Sequence, residues 1–362
     1  MTKNKIMVLG ATGYTGRLIV AELQRKGLPF GIAGRSAARL AALRQEFQLD
    51  ESVRSVVANP LKPETLAGLF EAEVGVLINC AGPFTQLGEP VVRETLERGA
   101  HYLDITGEQA YIARIITRCH LLAINQQRVA VPGCGVEYAL TNWCAAMAAR
   151  ELEPLERLTT ATATLNVQTT QGTQRSFFAA LGSYGIGWRE GRRMLKTTGS
   201  DVRQFKFPPP FGERSAAWAP FGDAVTLPRH IRVQQVDSYL ALPTGLAFGL
   251  RLLSPVLPVI SSALGFAFDK VIGLGPRGPQ EEQRKAARWA VLAEASGLQG
   301  QRKVVLQGGD VYGLTAIITV WAAEQMLSPD FNKAGVLGPA QAFDAAAAIG
   351  YLQNFGVQFA DQ

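Results

Sequence analysis

Histidine and cysteine are both scarce in this 362-residue chain, which contains three histidines and four cysteines. Cys80, Cys119, Cys134 and Cys144 form no Cys-x-x-Cys pair, and the chain contains no His-Glu-x-x-His pattern. The usual sequence signs of a metal site are therefore missing, and we expect no metal. No secretory leader precedes the first apolar segment, so we expect reduced thiols in a cytoplasmic protein.

Charged residues are also few, at 18% of the chain with a net charge of +6. The sequence lacks the clustered basic stripe with interleaved aromatic residues that nucleic-acid binding needs, so we expect no nucleic-acid partner. Basic residues are concentrated only in residues 189–206, where six basic side chains accompany two acidic ones. Such a run is typical of a solvated face, and the alternative is a contact with phosphate or anionic lipid.

Long uninterrupted apolar runs are missing as well. Residues 239–268 contain a single charge, Arg251, but Pro243, Pro255 and Pro258 interrupt them. A membrane-spanning helix needs about 20 mostly apolar residues, and each proline removes a backbone hydrogen-bond donor. We therefore expect a buried apolar subdomain or the wall of an apolar substrate cleft. The alternative is peripheral, membrane-associated contact of this segment with a lipid surface.

What the chain does contain is a glycine-rich turn near its start. An apolar strand at residues 5–9 leads into Gly10-Ala11-Thr12-Gly13-Tyr14-Thr15-Gly16, and a helical pattern follows. The first glycine permits a tight turn, the second admits a phosphate close to the backbone, and the third lets the helix pack against the strand. The helix N-terminus then faces the anion. The sequence predicts a dinucleotide site here.

The end of the second strand indicates which dinucleotide is bound. No acidic residue occurs between Glu22 and Glu46, whereas Arg35 and Ser36 follow the strand and Arg39 comes one helical turn later. A carboxylate at this point favours NAD, whereas an arginine accommodates the 2′-phosphate of NADP. We therefore predict NADP(H) as the cofactor. The alternative is that both arginines are solvated charges at the start of a helix.

Two architectures succeed one another along the chain. Residues 1–133 alternate strands and helices, which predicts an α/β domain with a doubly wound parallel Rossmann sheet. Residues 134–330 predict an α+β second domain with a mostly antiparallel sheet, including a Thr-rich strand at 157–168 and a helix at 188–196. We expect this sheet to offer a homodimer surface. Residues 331–362 are expected to form a C-terminal segment whose helix returns to the Rossmann domain.

The carboxyl ends of the predicted parallel strands carry the candidate site, because ligands of doubly wound sheets bind there. The loop 80–84 is placed to meet the nicotinamide. Asp104 and Glu108 could relay a proton or bind a substrate amine, and the alternative is that the segment caps the next helix. Tyr138 follows the last Rossmann strand and completes the candidate catalytic set. In the second domain, the candidate substrate-binding residues at a predicted helix start are Gly172, Thr173 and Arg175. The alternative is a helix cap with a surface arginine.

These motifs together resemble the saccharopine dehydrogenase-like oxidoreductase family, which includes the trans-acting enoyl reductases of bacterial lipid synthesis. The resemblance rests on residues 10–16, 33–36, 79–84, 102–108, 171–173, 309–316 and 335–340. It implies a pyridine-nucleotide oxidoreductase and leaves the substrate open. Asn59 stands where the family often has Asp near the adenine, and Glu137-Tyr138 replaces a more usual Phe-Asp. The residues predicted to bind the cofactor are Gly10, Thr12, Gly13, Tyr14, Thr15, Gly16, Arg35, Ser36, Arg39, Asn59, Cys80, Ala81, Gly82, Pro83 and Phe84.

Three other functions compete with this prediction. A short-chain dehydrogenase needs a Tyr-x-x-x-Lys pair, and none of the eight tyrosines has a lysine four residues later. An acyl-phosphate or semialdehyde reductase would use Cys134, in Pro132-Gly133-Cys134, as a thiolate nucleophile. A non-enzymatic NADP(H)-binding or lipid-surface protein is the third alternative. The sequence favours an NADP(H)-dependent oxidoreductase that reduces a C=N, C=C or C=O bond of a hydrophobic, lipid-like small molecule.

Overall fold

A parallel sheet of seven strands takes six of them from residues 5–131 and the seventh from residues 335–336. The computed structural model describes residues 4–70, 73–181, 184–257 and 278–362. The sheet order is β15-β6-β5-β4-β1-β2-β3, and every pair is parallel. Its strands are β1 (Lys5–Leu9), β2 (Phe30–Gly34), β3 (Arg54–Val57), β4 (Val74–Asn79), β5 (His101–Asp104), β6 (Val129–Val131) and β15 (Gly335–Val336). The predicted doubly wound sheet is confirmed.

The strand order places a topological switch point between β1 and β4. The chain adds β2 and β3 on one side of β1 and then returns to add β4 to β6 on the other side. Strands β2 and β4 are buried along their whole length, as expected for parallel strands with apolar runs. The helices of this half are α1 (Tyr14–Arg25), α2 (Ala37–Glu46), α3 (Phe84–Glu97) and α4 (Gln109–Asn125), with 3₁₀ turns at Pro63–Thr65 and Ala67–Phe70.

A second, mixed sheet of nine strands follows. Its strands are β7 (Leu155–Leu165), β8 (Tyr184–Arg189), β9 (Arg192–Thr197), β10 (Val202–Lys206), β11 (Glu213–Trp218), β12 (Val233–Ala241), β13 (Arg288–Gly297), β14 (Gly300–Gly309) and β16 (Gln358–Asp361). The β12–β7 pair is parallel and the other pairs are antiparallel, which confirms the predicted mostly antiparallel sheet. One side carries an aromatic cluster built around Phe205, Trp218 and Tyr239.

The remaining helices are α5 (Val136–Ala149), α6 (Gln171–Leu181), α7 (Asp223–Thr226), α8 (Thr244–Leu253), α9 (Glu281–Ala286), α10 (Val311–Leu327), α11 (Pro339–Ala342) and α12 (Ala345–Gln353), with a 3₁₀ turn at Leu227–Arg229.

The helix predicted at residues 188–196 is wrong. The segment forms the antiparallel hairpin of β8 and β9, in which Trp188 lies opposite Arg193. Glu190 and Gly191 connect the strands with φ angles of 53° and 70°. Two consecutive positive φ angles produce the turn that matches the twist of paired strands, and this turn outweighs the weak helical pattern.

The chain divides into two compact units. The first comprises Met1–Thr106, Tyr111–Val136 and Tyr312–Leu337, and the second comprises Gly107–Ala110, Glu137–Val311 and Gly338–Gln362. These bounds differ from the predicted 1–133, 134–330 and 331–362. The chain returns to the first unit through most of α10 and through β15, because β15 pairs with β6. The last 25 residues of the chain, Gly338–Gln362, belong to the second unit, because β16 pairs with β14. The prediction had placed them against the Rossmann domain.

Within the described residues, none of the helices combines the length and the apolar character needed to cross a membrane. The apolar segment predicted at 239–268 is described only as far as Leu257, where it comprises the end of β12 and the helix α8. Residues 258–268 lie outside the described part of the chain.

Trp289 tests the packing of the second sheet. Its ring lies over Gly308 on the neighbouring strand, where an added Cβ would come within 2.7 Å of a ring carbon. The residue is 1% exposed, and its Nε1–H donates to the Gly309 carbonyl over 3.1 Å. We expect Trp289→Ala to lower the free energy of unfolding by about 3–5 kcal/mol, because it leaves a cavity in the sheet. Chemical denaturation of the full chain measures this loss.

Leu298→Ala serves as the control, since Leu298 lies between β13 and β14 and is 87% exposed. We expect a change of less than about 0.5 kcal/mol for this variant. Equal stability of the Trp289 variant and the control would contradict the packing described.

Candidate functional site

The glycine turn between β1 and α1 is closed to side chains at two of its positions. Gly10 has a φ of +80°, and a Cβ added to it would lie 2.9 Å from the carbonyl carbon of Cys80. A Cβ on Gly16 would lie 2.3 Å from the carbonyl oxygen of Gly10. Real Cβ atoms do not approach other atoms this closely. Glycine is therefore required at position 10 for contact with the chain after β4, and at position 16 for contact between the turn and α1. The result is a cradle built from backbone.

The N-terminus of α1 faces this cradle without a side-chain cap. Its N-cap residue is Gly13, which is exposed, and no acidic residue occupies the first turn. The first N–H groups of a helix and its dipole favour an anion. A side-chain-free cradle beside an uncapped helix start fits the pyrophosphate of a dinucleotide.

Three other predicted cofactor residues belong to the same turn. Thr12 and Thr15 are half-buried, and the Thr12 hydroxyl oxygen lies 3.6 Å from where a Cβ on Gly34 would stand. The ring of Tyr14 packs edge-on against Tyr312, with centroids 5.2 Å apart. The turn therefore adjoins the end of β2 and the start of α10.

Arg35, Ser36 and Arg39 lie at the carboxyl end of β2. The hydroxyl of Ser36 caps α2 by accepting the Arg39 N–H over 3.3 Å. Arg35 and Arg39 are both exposed, and neither guanidinium forms an ion pair with any residue that the structure describes. Two exposed cations without a partner at this strand end fit a 2′-phosphate.

Asn59 takes part in a local turn after β3. Its side-chain oxygen accepts the Leu61 N–H over 3.1 Å, and its own N–H donates to the Thr65 hydroxyl over 2.9 Å. The residue is half-buried. Its contact with an adenine stays a prediction.

A buried hydrogen-bond network holds the predicted nicotinamide loop 80–84. Asn79 is fully buried, and its side-chain oxygen accepts the Ala81 N–H over 2.9 Å while its Nδ2 donates to the Tyr102 hydroxyl over 3.0 Å. The Cys80 N–H donates to the Leu9 carbonyl over 2.8 Å. The loop therefore lies beside the glycine turn, so the structure brings these two predicted parts of the cofactor site together.

The two ends of the loop differ in exposure. Gly82 is exposed, Cys80, Ala81 and Pro83 are half-buried, and Phe84 is buried at the start of α3. The Phe84 ring lies 5.8 Å from that of Tyr111. The loop thus presents backbone and small side chains to solvent and anchors itself through one aromatic ring.

Asp104 is completely buried at the end of β5. One carboxylate oxygen accepts the Thr106 and Gly133 N–H groups over 3.0 and 2.8 Å, and the other accepts the Tyr102 hydroxyl over 2.8 Å. Burial raises the pKa of this carboxyl to about 6 although the hydrogen bonds lower it. Both carboxylate oxygens of Asp104 are hydrogen-bonded and buried, and they hold the ends of β5 and β6 together. This geometry favours a positioning role over contact with a substrate.

Cys134, the candidate thiolate nucleophile, is also fully buried. Burial raises the pKa of its thiol above the usual value, and the charge of Asp104 raises it further. Reactive cysteines have the opposite character, since they are accessible and have lowered pKa values. The environment of Cys134 argues against a thioester mechanism.

Glu108 and the start of α6 meet within the second unit. Glu108 is 7% exposed, and it accepts a hydrogen bond of 3.2 Å from the Ser176 hydroxyl. Thr170 caps α6 by accepting the Thr173 N–H over 3.1 Å. The candidate substrate residues Gly172 and Thr173 are exposed, and Arg175 is half-buried. The structure therefore places one predicted carboxylate beside the predicted substrate helix.

Tyr138 is buried at the start of α5. Its hydroxyl donates to the Gly107 carbonyl over 2.7 Å, and its ring packs against Phe221 at 6.0 Å. Burial raises the pKa of this phenol well above its usual range, and the charges of Glu137, Asp223 and Glu108 raise it further. The phenol is thus held in its neutral form as a hydrogen-bond donor to the backbone.

Two polar residues beside the candidate set were not predicted as site residues. Gln109 donates to the carbonyls of Ile186 and Phe221 over 2.8 and 2.7 Å and accepts the Ile186 N–H over 2.7 Å, so it joins three segments of the second unit. Glu137 is the neighbour of Tyr138 in the chain, and its Oε2 lies 2.9 Å from where a Cβ on Gly107 would stand. The only signal for either was its place shortly after a parallel strand. The described residues contain no cluster of His, Cys, Asp and Glu suited to a metal ion.

Comparisons with known proteins find similarity over the first part of the chain and in the fold. Residues 6–154 match the family model described as the saccharopine dehydrogenase NADP binding domain. A lipid droplet localized protein of Caenorhabditis elegans is 32% identical over 143 residues, which cover 37% of this chain and 34% of that protein. A provisionally named trans-acting enoyl reductase of Mycobacterium tuberculosis is 32% identical over 137 residues, covering 36% of this chain and 32% of that protein.

A human saccharopine dehydrogenase-like oxidoreductase is 27% identical over 136 residues, covering 33% of this chain and 32% of that protein. The match thus spans about a third of the length of these relatives.

The likeness in fold extends further. Apo saccharopine dehydrogenase (L-Glu forming) from Saccharomyces cerevisiae matches 99% of both chains with a TM-score of 0.65 at 10% sequence identity, which shows the fold alone. Residues 6–154 therefore resemble the NADP-binding domain of saccharopine dehydrogenase, and the chain is similar over about a third of its length to saccharopine dehydrogenase-like oxidoreductases.

Proposed function

We propose that this protein is an NADP(H)-dependent enzyme that reduces a C=N, C=C or C=O bond of an apolar small molecule. One observation carries the proposal: a backbone cradle closed to side chains at Gly10 and Gly16 opens onto an uncapped helix start. The match of residues 6–154 to an NADP-binding domain supports it.

The described residues suggest how the cofactor would be held. The turn 10–16 would bind the pyrophosphate, and Arg35, Ser36 and Arg39 would bind the 2′-phosphate. The loop 80–84 would face the nicotinamide, with Asn79 and Asp104 fixing the backbone around it. When bound, NADPH supplies the hydride. Reduction is the direction we propose, because cells keep NADPH largely reduced.

The apolar substrate is proposed from the exposed face of α8. This helix packs on β10 and β11, yet five of the large apolar side chains on and just after it are between 46% and 83% exposed. They are Leu246, Phe248, Leu252, Leu253 and Val256. Leaving so many apolar groups exposed to water is unfavourable. We therefore propose that α8 contacts a lipid surface from which the protein would take an apolar substrate.

A non-enzymatic NADP(H)-binding protein is the second candidate function. Two of the three predicted catalytic residues are sealed by hydrogen bonds: Asp104 is 0% exposed, and Tyr138 is 2% exposed. The name of the C. elegans relative favours a lipid-surface role for this candidate also. Oxidation of NADPH with an apolar enal, such as trans-2-decenal, separates the enzyme from the binder.

Arg35 tests the cofactor assignment. We expect Arg35→Ala to weaken NADPH binding by about tenfold or more, because a hydrogen bond to a charged phosphate is worth about 1.5–3 kcal/mol. Affinity for NADH, which lacks the 2′-phosphate, should stay within about twofold. Isothermal titration calorimetry with both nucleotides measures the difference.

Arg189→Ala is the matched control, since Arg189 is likewise exposed but lies on β8 of the second unit. Equal weakening of NADPH and NADH binding in the Arg35 variant, or no weakening of either, would count against the assignment of the 2′-phosphate to this strand end.

Leu252 tests the lipid contact. We expect the wild-type chain to float with vesicles of phosphatidylcholine and phosphatidylglycerol mixed seven to three. Leu252→Asp should reduce partitioning by about tenfold, because burial of one leucine contributes about 1.5–3 kcal/mol. Leu298→Asp, at an exposed leucine outside α8, should float like the wild type. A wild-type chain that stays in the aqueous fraction would refute the contact.

A further inference from the structure

Tyr111 is a buried residue beside the candidate site to which the sequence assigned no role. It lies in the first turn of α4, and it is 0% exposed. Its hydroxyl oxygen lies 3.0 Å from that of Tyr102. Its ring lies 5.8 Å from that of Phe84, where the loop 80–84 ends. One side chain therefore contacts both the buried network at the strand ends and the far end of the predicted nicotinamide loop.

The hydrogen bonds of Tyr102 decide which of the two phenols donates. A phenol has one hydrogen to donate and can accept two hydrogen bonds. Tyr102 donates its hydrogen to Asp104 over 2.8 Å, and its oxygen accepts the side-chain N–H of Asn79 over 3.0 Å. The bond to Tyr111 therefore uses the second acceptor site of Tyr102, with Tyr111 as the donor. Donation in this direction stabilises the negative charge of Asp104.

A notch in α3 receives the ring of Tyr111. Gly88 is buried in the second turn of this helix, and a Cβ added to it would lie 2.6 Å from the Tyr111 hydroxyl oxygen. The ring can approach the helix this closely only at a glycine. Phe84 lies one helical turn earlier, so the same ring also supports the start of α3.

Tyr111 thereby contacts the structure at both ends of the loop 80–84. At the first end, the side-chain oxygen of Asn79 accepts the Ala81 N–H over 2.9 Å while its amide nitrogen donates to Tyr102. At the second end, the aromatic ring that begins α3 packs against the ring of Tyr111. All of these residues belong to the first compact unit. The conformation of the loop thus depends on a phenol that is itself sealed from solvent.

We propose that Tyr111 is a positioning residue for the nicotinamide half of NADP(H), an inference that rests on the proposed function. Its hydroxyl and its ring hold the loop 80–84 in the conformation that binds the nicotinamide, and it acts through this loop without touching the cofactor. Within the described residues, none of the hydrogen bonds of this network reaches the end of β2, where the 2′-phosphate would bind. The role is therefore confined to one half of the cofactor.

Tyr111→Phe tests the role of the hydroxyl. The variant keeps the ring in the notch at Gly88, and it leaves no buried hydrogen unpaired, so the chain should still fold. We expect NADPH to bind about fivefold to tenfold more weakly, which is the scale of one hydrogen bond. Adenosine 2′,5′-bisphosphate, which has the 2′-phosphate but no nicotinamide, should bind as it does to the wild type. Isothermal titration calorimetry measures both affinities.

Tyr184→Phe is the matched control, since Tyr184 lies on β8 and is 57% exposed. It should bind both ligands like the wild type. Equal weakening of both ligands in Tyr111→Phe would indicate a general loss of structure and overturn the proposal, as would an unchanged affinity for NADPH. A wild type that binds neither ligand would reject the proposed function, and this inference with it.

The carboxyl of Asp104 gives a second readout that needs no cofactor. Burial raises its pKa to about 6, and hydrogen bonds, including one from Tyr111, lower it. The other titratable groups beside it are two phenols and the thiols of Cys80 and Cys134, and they stay neutral because the surrounding protein and the charge of Asp104 raise their pKa values.

The expected change is a higher pKa of Asp104 in Tyr111→Phe, because the variant removes a donor that stabilises the carboxylate. In protein labelled with ¹³C at the aspartate carboxyls, the resonance that titrates near pH 6 should titrate at higher pH in this variant and unchanged in Tyr184→Phe. An unchanged titration in Tyr111→Phe would contradict the direction of donation and overturn the proposal.

Discussion

The close approach of three backbone segments at the glycine turn is the constraint on which the candidate site depends. The carbonyl of Gly10 lies where a Cβ on Gly16 would be, and Gly10 itself lies against the chain at Cys80. Any side chain at these two glycines would separate α1 from β1 or β1 from the loop after β4. Because the segments touch, the helix start, the turn and the loop form one continuous surface. That surface offers N–H groups to an anion without needing a charged side chain.

Buried polar groups then fix the strand ends around this surface. Tyr102 links Asn79 to Asp104, and Asp104 binds the backbone at Gly133, so one network joins the carboxyl ends of β4, β5 and β6. A buried polar group without a hydrogen-bond partner destabilises the fold, so every member of such a network must be paired. Once all members are paired, the network fixes the geometry of the loops. This explains why Asp104, which resembles a catalytic group in the sequence, is engaged in holding backbone.

The parallel sheet and the glycine turn could be predicted because local signals and global fold agree there: apolar runs, a glycine at each tight point and no acid between Glu22 and Glu46. The hairpin at 188–196 could not, since its turn depends on two positive φ angles at Glu190 and Gly191 that the sequence pattern does not reveal. The roles within the site were harder still. Burial and hydrogen-bond partners give Asp104 its positioning role, and both follow from tertiary packing, which residue type and spacing do not encode.

The central claim is that the turn from Gly10 to Gly16 binds the pyrophosphate of NADP(H) and that the end of β2 binds its 2′-phosphate. A crystal structure of the full chain with NADPH tests it most directly. The account predicts pyrophosphate oxygens within hydrogen-bond distance of the N–H groups at the start of α1, and the 2′-phosphate beside Arg35. A nucleotide bound elsewhere, or a 2′-phosphate directed away from Arg35 into solvent, would contradict it.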